Sequence, residues 1–376
     1  MSGGAQVFVY PEELEHVAPK ALCAQVRSLG CDGVSMALSY HRGRRVFPRH
    51  QRVSVLTGRT LYFEPEYARY GMIRPPAPES RAHAERVLRF RDACATADLM
   101  FRAWVVALHD ERLAASHPGE SAQLLDGSPA GHSLCPSAHE SITYTTALAG
   151  DVASKLEPDA VDLEAALYPA WEPSYTLTLS LEPMSANARL LGSQCFCSSC
   201  RELLGPAAEE LEARAKRAAG PPFADHAQDD EAIADELARV RAVGVGRLIR
   251  TVAASVHFEG SRLRVFVPGP REQAALQGAS AESLAAADEL LFGCGPLRGD
   301  ELATRFADAR ALTGRSGAVS TNWSPERSPD EYAADATRLA AAGAEGLALY
   351  NLTLVPDAGL EAFRAAAAAF RTAVAA

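Results

Sequence analysis

Short apolar or β-branched runs alternate with longer amphipathic, alanine-rich runs along almost the whole chain. Short runs bounded by turn residues read as buried strands, and the longer ones as helices with one apolar face. The pattern predicts strands at Val7–Tyr10, Gly33–Tyr40, Phe101–Leu108, Ala160–Tyr168, Leu263–Val267, Glu289–Phe292, Ala318–Asn322 and Gly346–Leu352. Helices are predicted over about Glu12 to Leu29, Ile142 to Leu156, Glu231 to Ala254, Glu301 to Leu312, Asp330 to Ala342 and Leu360 to Val374.

Strands that alternate with helices imply parallel pairing through right-handed crossovers. Eight such units favour a closed (β/α)8 TIM barrel over an open doubly wound sheet. The first strand ends Val9-Tyr10-Pro11-Glu12-Glu13, without the glycine-rich turn of a dinucleotide site, and no phosphate-binding G-x-x-x-x-G-K-[ST] occurs. No organic cofactor is therefore expected. The chain, 1–376, is read as a single barrel domain whose surplus length lies in three βα loops, about 41–84, 109–140 and 169–201. Such loops surround the catalytic face of a barrel.

Composition narrows the function classes. With 48% hydrophobic residues the chain buries a core, which excludes global disorder. A formal net charge of −10 argues against a nucleic-acid surface. Thirty-four of the 37 basic residues are arginines, a bias expected of a GC-rich genome, and Arg42-Gly43-Arg44-Arg45 reads as a solvated loop. No apolar run suits a bilayer, and the first ten residues do not resemble a signal peptide, so a cytoplasmic protein is expected.

The cysteines are more specific. Cys23, Cys31, Cys94 and Cys294 are scattered singly in apolar contexts, but Cys195-Phe196-Cys197-Ser198-Ser199-Cys200 is a C-x-C-x-x-C cluster. A structural zinc takes four ligands in a closed tetrahedron, and Cys135 in Leu134-Cys135-Pro136 is the best-placed fourth. Unligated or redox thiols are the alternative.

Barrel chemistry gathers at the C-terminal strand ends. Tyr40 and His41 end the second predicted strand, and His109 ends the third. Each histidine is either a site residue or a satisfied structural one. On the fourth, Asp162 and Glu164 are two apart and share a side. They are either a structural ion pair, with an arginine such as Arg102, or a functional Glu164. Tyr168, Asn322, Trp323 and Tyr350 complete a set suited to hydroxylated ligands, with packing beneath a loop as the alternative for either tip aromatic, Trp323 or Tyr350.

Cys135-Pro136-Ser137 before a helix, a glutamate on the fourth strand and then C-x-C-x-x-C together resemble the catalytic domain of family 42 β-galactosidases and related glycosyl-hydrolase-like barrels. The resemblance covers roughly Tyr40 to Cys200. It implies a structural zinc on Cys135, Cys195, Cys197 and Cys200, and Glu164 as general acid/base. Two departures stand out: Leu163 replaces an asparagine before that glutamate, and Asn322 stands where a retaining enzyme carries its nucleophilic glutamate. The nearest carboxylate is Glu326, taken here as the second catalytic candidate and better suited to the wider spacing of inversion.

The expected function is thus a carbohydrate-active hydrolase using Glu164, whose pKa Leu163, Tyr168 and Trp171 would raise. A glycosidase-like barrel that binds a sugar without cleaving it is the second reading. A catalytic zinc on His41 and His109 ranks last, because no H-x-H or H-E-x-x-H spacing supports it. The partners expected are a small-molecule glycoside or sugar, with no nucleic acid or membrane, and at most further copies of the chain.

Overall fold

The computed structural model describes residues 4–78, 80–170, 191–219 and 227–376. Eight parallel strands form its centre: β1 (Gly4–Val9), β2 (Gly33–Tyr40), β3 (Met100–Val106), β4 (Ala160–Glu164), β5 (Arg262–Val267), β6 (Glu289–Gly293), β7 (Ala318–Asn322) and β8 (Gly346–Tyr350). Helices follow them in turn: α1 (Pro19–Ser28), α2 (Arg81–Thr96), α3 (His139–Leu156), α4 (Ala227–Phe258), α5 (Arg271–Leu276), α6 (Gly299–Thr313), α7 (Pro329–Ala341) and α8 (Asp357–Ala375). Each strand pairs with its neighbours in sequence, and β1 pairs with both β2 and β8. The sheet is a closed (β/α)8 TIM barrel.

Alternation along the strands divides the core. Val7, Val34, Phe101, Val161, Val265, Leu290, Val319 and Leu347 belong to the main cluster packed under the helices. The intervening positions point inward, where Phe8, Ala37, Trp104, Leu291 and Ala348 form a separate cluster.

Several boundaries differ from the sequence reading, each for a local reason. The first long helix is broken into a 3-10 turn, Pro11–Glu15, and α1, because Pro19 takes the first helical position and lacks an N–H. β3 stops at Val106, where the buried Arg59 guanidinium takes the carbonyls of Val106, Ala107 and His109. β4 stops at Glu164, because Ala165 has φ of 55° and turns the chain out of the strand. β8 ends at Tyr350, ahead of a 3-10 turn at Leu352–Leu354.

The loop after β2 carries a hairpin, Gly43–Phe47 with Arg52–Leu56, and Thr60–Leu61 adds antiparallel to the end of β2. Arg45 does not lie in a solvated loop. It is buried, bonds both Glu12 oxygens at 2.7 and 2.9 Å, and covers the Tyr10 ring at 3.7 Å. A paired guanidinium over an aromatic face can be buried where a lone one cannot. It pins the hairpin to the barrel mouth.

Lower in the barrel the interior is charged. Asp162 Oδ1 accepts from Arg264 Nε at 2.8 Å and Arg102 Nε at 3.1 Å, while Oδ2 accepts from Ser35 and the Arg264 fork. Arg102 and Arg262 also share Glu289. Burial alone would raise the Asp162 pKa, but the Arg264 and Arg102 charges hold it below the ordinary carboxylate value. Removing one partner of a buried ion pair typically costs about 3–5 kcal/mol. Asp162→Ala is therefore expected to lower unfolding stability by roughly that amount in a denaturant titration. A loss within about 0.5 kcal/mol, the level of an ordinary surface change, would contradict this.

Candidate active site

Asp162 and Glu164 both face the barrel interior, as their spacing on β4 requires. Their surroundings differ. Glu164 stands above the charged layer, among aromatic rings supplied by other strand ends. Trp104 Nε1–H donates to its Oε2 at 2.6 Å. That indole is held edge-on by Phe8 and Tyr40, each 5.0 Å away between ring centroids. Tyr10 and Tyr350 place their hydroxyls 2.8 Å apart beside it. Burial raises the Glu164 pKa to about 7, against the smaller opposing effect of the Trp104 hydrogen bond. With Oε2 engaged as an acceptor, Oε1 is the oxygen left to carry a proton.

Glu164 borders two cavities. The larger, of about 350 Å³, runs into the barrel mouth past Phe8, Trp104, Phe266, Asn322 and Tyr350. The smaller, of about 160 Å³, lies toward His109, His132, Tyr168, Gln273 and Gln277. Phe266 and Pro268 line both, so the two meet at Glu164.

The remaining candidates are distributed around this centre. Tyr40 packs against Trp104, and His41 stacks between Tyr40 and His109 at 4.5 and 4.2 Å. Burial lowers the pKa of both histidines; that of His109 falls to about 2, helped by His41 and His132. Both rings are neutral at pH 7. Tyr168 borders the smaller cavity, but its hydroxyl is directed to Ser137 and Cys200. Trp323 packs against the helical layer and lies outside the lining of both cavities. Glu326 is exposed in the turn after β7, also outside both linings. Trp171 lies outside the described residues.

Cys135, Cys195, Cys197 and Cys200 converge, all buried, with their sulfurs within 4.8 Å of one another. Cys135 reaches the other three at 3.9, 3.6 and 3.5 Å. Four thiolates around an ion at about 2.3 Å stand about 3.8 Å apart, so the donor set fits a closed tetrahedral metal site. Cys197 caps the helix Ser198–Leu204, which puts Cys197 and Cys200 one turn apart on the same side. The Gln123 N–H donates to Cys195 Sγ at 3.2 Å, and the Tyr168 hydroxyl lies 3.3 Å from Cys200 Sγ. Such outer contacts orient thiolate ligands. None of the eight cysteines is in a disulfide, and this is the only metal-type cluster among the described residues.

Sequence reasoning missed Trp104, Arg45, Arg59 and Gln277. Trp104 carried a usable signal: it stands two residues after Arg102, so both point into the barrel. Gln277 ends the short helix α5 and carried none.

No protein-family model and no curated protein matches the chain. Solved structures do match in fold. The catalytic domain of β-amylase from Paenibacillus polymyxa has a TM-score of 0.59 and 11% identity, with 96% of each chain covered. The PgaB (BpsB) glycoside hydrolase domain from Bordetella bronchiseptica has a TM-score of 0.57 and 12% identity, covering 96% of this chain and 98% of that one. α-L-Fucosidase isoenzyme 2 from Paenibacillus thiaminolyticus has a TM-score of 0.55 and 13% identity, over 98% of this chain; the present chain spans only 49% of its length. The resemblance read from the sequence is met at the level of the TIM-barrel fold.

Proposed function

We propose that the chain is a glycosidase-like hydrolase in which Glu164 is the general acid/base. The observation that carries this reading is a carboxyl with a pKa of about 7 at the mouth of the barrel, held by one indole N–H and bordered by cavities on two sides. A group titrating near the working pH is suited both to give and to take a proton. In this reading Oε1–H protonates the glycosidic oxygen as its bond to the anomeric carbon breaks. The alcohol departs, water oxygen bonds to the anomeric carbon in its place, and the proton that water gives up returns to the Glu164 carboxylate. Trp104 fixes the carboxyl plane, and Asn322 and Tyr350 hydrogen-bond sugar hydroxyls in the larger cavity. His109, being neutral, contributes dipoles without charge.

One observation favours a second reading, a barrel that binds a sugar without hydrolysing it. Among the described residues, the other carboxylate lining the larger cavity is Asp162, whose oxygens are taken by Ser35, Arg102 and Arg264. Glu326 is not in that lining. Hydrolysis by a carboxylate pair would need a partner placed on the far side of the bond.

The cysteine tetrad is proposed as a structural zinc site. Four thiolates leave no open position, so bound zinc would join the β3–α3 and β4–α4 loops and take no part in chemistry.

Glu164→Gln removes the transferable proton and keeps the shape. On glycosides with poor leaving groups, kcat should fall by about 10²–10⁴ while binding persists. A parent that cleaves such substrates alongside a fully active variant would refute the assignment; a parent that binds sugars and cleaves none supports the second reading.

The raised pKa also has a stability signature. Because the fold favours the neutral acid, the contribution of Glu164 to stability is complete below its unfolded value of about 4.3 and is lost as pH rises through about 7. Glu164→Gln stays neutral throughout. Its melting temperature should therefore gain on the parent's between about pH 5 and pH 8, and a constant difference across that range would count against the raised value.

Structural zinc is coupled to folding. Cys197→Ser should lower zinc content, read by elemental analysis, together with melting temperature. Parent protein purified without bound zinc, and unmoved by added zinc, would overturn the site.

A further inference from the structure

A residue in the wall of the smaller cavity carries a polar atom that the fold leaves unanswered. Gln277 follows α5 and is 8% exposed. Its backbone carbonyl accepts from the Tyr168 N–H at 3.0 Å, and its Nε2 donates to the Tyr168 carbonyl at 2.7 Å. This reciprocal pair fixes the amide orientation, since the flipped form would set two carbonyl oxygens against each other. Oε1 is thereby determined as the free end, buried and without a hydrogen-bond partner among the described residues. A buried acceptor left unpaired opposes folding, and native structures retain one where something else satisfies it. Gln277 lines the cavity that Glu164 also borders. Gln273, one helical turn earlier, lines it too.

We infer that this cavity receives the leaving group of the substrate, and that Gln277 Oε1 accepts a hydrogen bond from a hydroxyl of that group. The inference rests on the proposed role of Glu164. An acid that protonates a glycosidic oxygen stands beside the bond to be broken, so the two halves of the substrate lie on its two sides. The larger cavity, with its aromatic walls, suits the sugar ring that reacts. The smaller one, lined among the described residues by two glutamines, Tyr168 and the neutral His109 ring, suits a hydroxylated group. The substrate class is therefore a glycoside with an alcohol-bearing leaving group, such as a second sugar.

The test uses the full chain. A screen of p-nitrophenyl glycosides identifies the reacting sugar. Disaccharides carrying that sugar are then assayed with each leaving-group hydroxyl replaced by hydrogen in turn. In the parent, loss of one particular hydroxyl should lower kcat/KM about tenfold, the worth of one hydrogen bond. In Gln277→Met the same deletion should cost less than about twofold, because its partner is gone. The parent series needs no variant, so a Gln277→Met that fails to fold does not remove the test. If no hydroxyl deletion matters in the parent, or the penalty persists in Gln277→Met, the inference is wrong. Cleavage of aryl glycosides with no disaccharide accepted overturns the leaving-group assignment and leaves Glu164 as the acid. A parent that cleaves neither kind overturns both.

Discussion

Enclosing a carboxyl inside a closed barrel is costly in its charged form, and this chain does so twice on one strand, with Asp162 buried and Glu164, two residues on, half-buried. The two are resolved in opposite directions. Asp162 is charged because two arginines and a serine occupy its oxygens. Glu164, one step up the same strand, has a single neutral donor and aromatic walls, so it holds its proton to about pH 7. Neither residue could exchange roles with the other. The lower carboxyl engages Arg102 and Arg264, which leaves the upper one with burial as the dominant influence on its titration. The Asp162 cluster also ties β3, β4 and β5 together beneath the site, fixing the strands that present Trp104, Glu164 and Phe266.

The cysteine tetrad extends this positioning outward. Cys135 comes from the loop before α3, and the other three follow β4. Tyr168 links the cluster to the cavity: its hydroxyl meets Cys200 while its backbone pairs with Gln277. An ion held by the four sulfurs would therefore stiffen the wall on which the leaving group is proposed to rest.

The architecture was legible because short apolar runs recur eight times between longer alanine-rich amphipathic ones, and a strand buried on its outer face cannot slip by one residue without exposing it. The inward-facing Glu164 and the trio Cys195, Cys197 and Cys200 could be read for a related reason: each depends on spacing along one short segment, whereas Cys135 stands 60 residues ahead of Cys195. What could not be read depends on partners distant in sequence. Arg45 resembled a solvated arginine until Glu12 and Tyr10 were seen across the barrel mouth. Trp104 sits 60 residues from the carboxyl it holds. The strand ends were overextended at Val106 and Glu164, since Arg59 from another loop and the left-handed Ala165 stop them. The seventh-strand tip was read correctly as polar, but Trp323 turns to the helical layer and Glu326 to solvent, because orientation in a turn follows no fixed period.

The central claim is that Glu164 is a neutral acid at the entrance of the barrel until the pH approaches 7. Isotope-edited infrared spectroscopy measures this directly in protein labelled with ¹³C at glutamate carboxyls, with Glu164→Gln as the reference for subtraction. The account predicts one protonated-carboxyl band, absent from the reference, that disappears with a midpoint of about 7. A Glu164 band that titrates near the ordinary glutamate value of about 4.3 would contradict it.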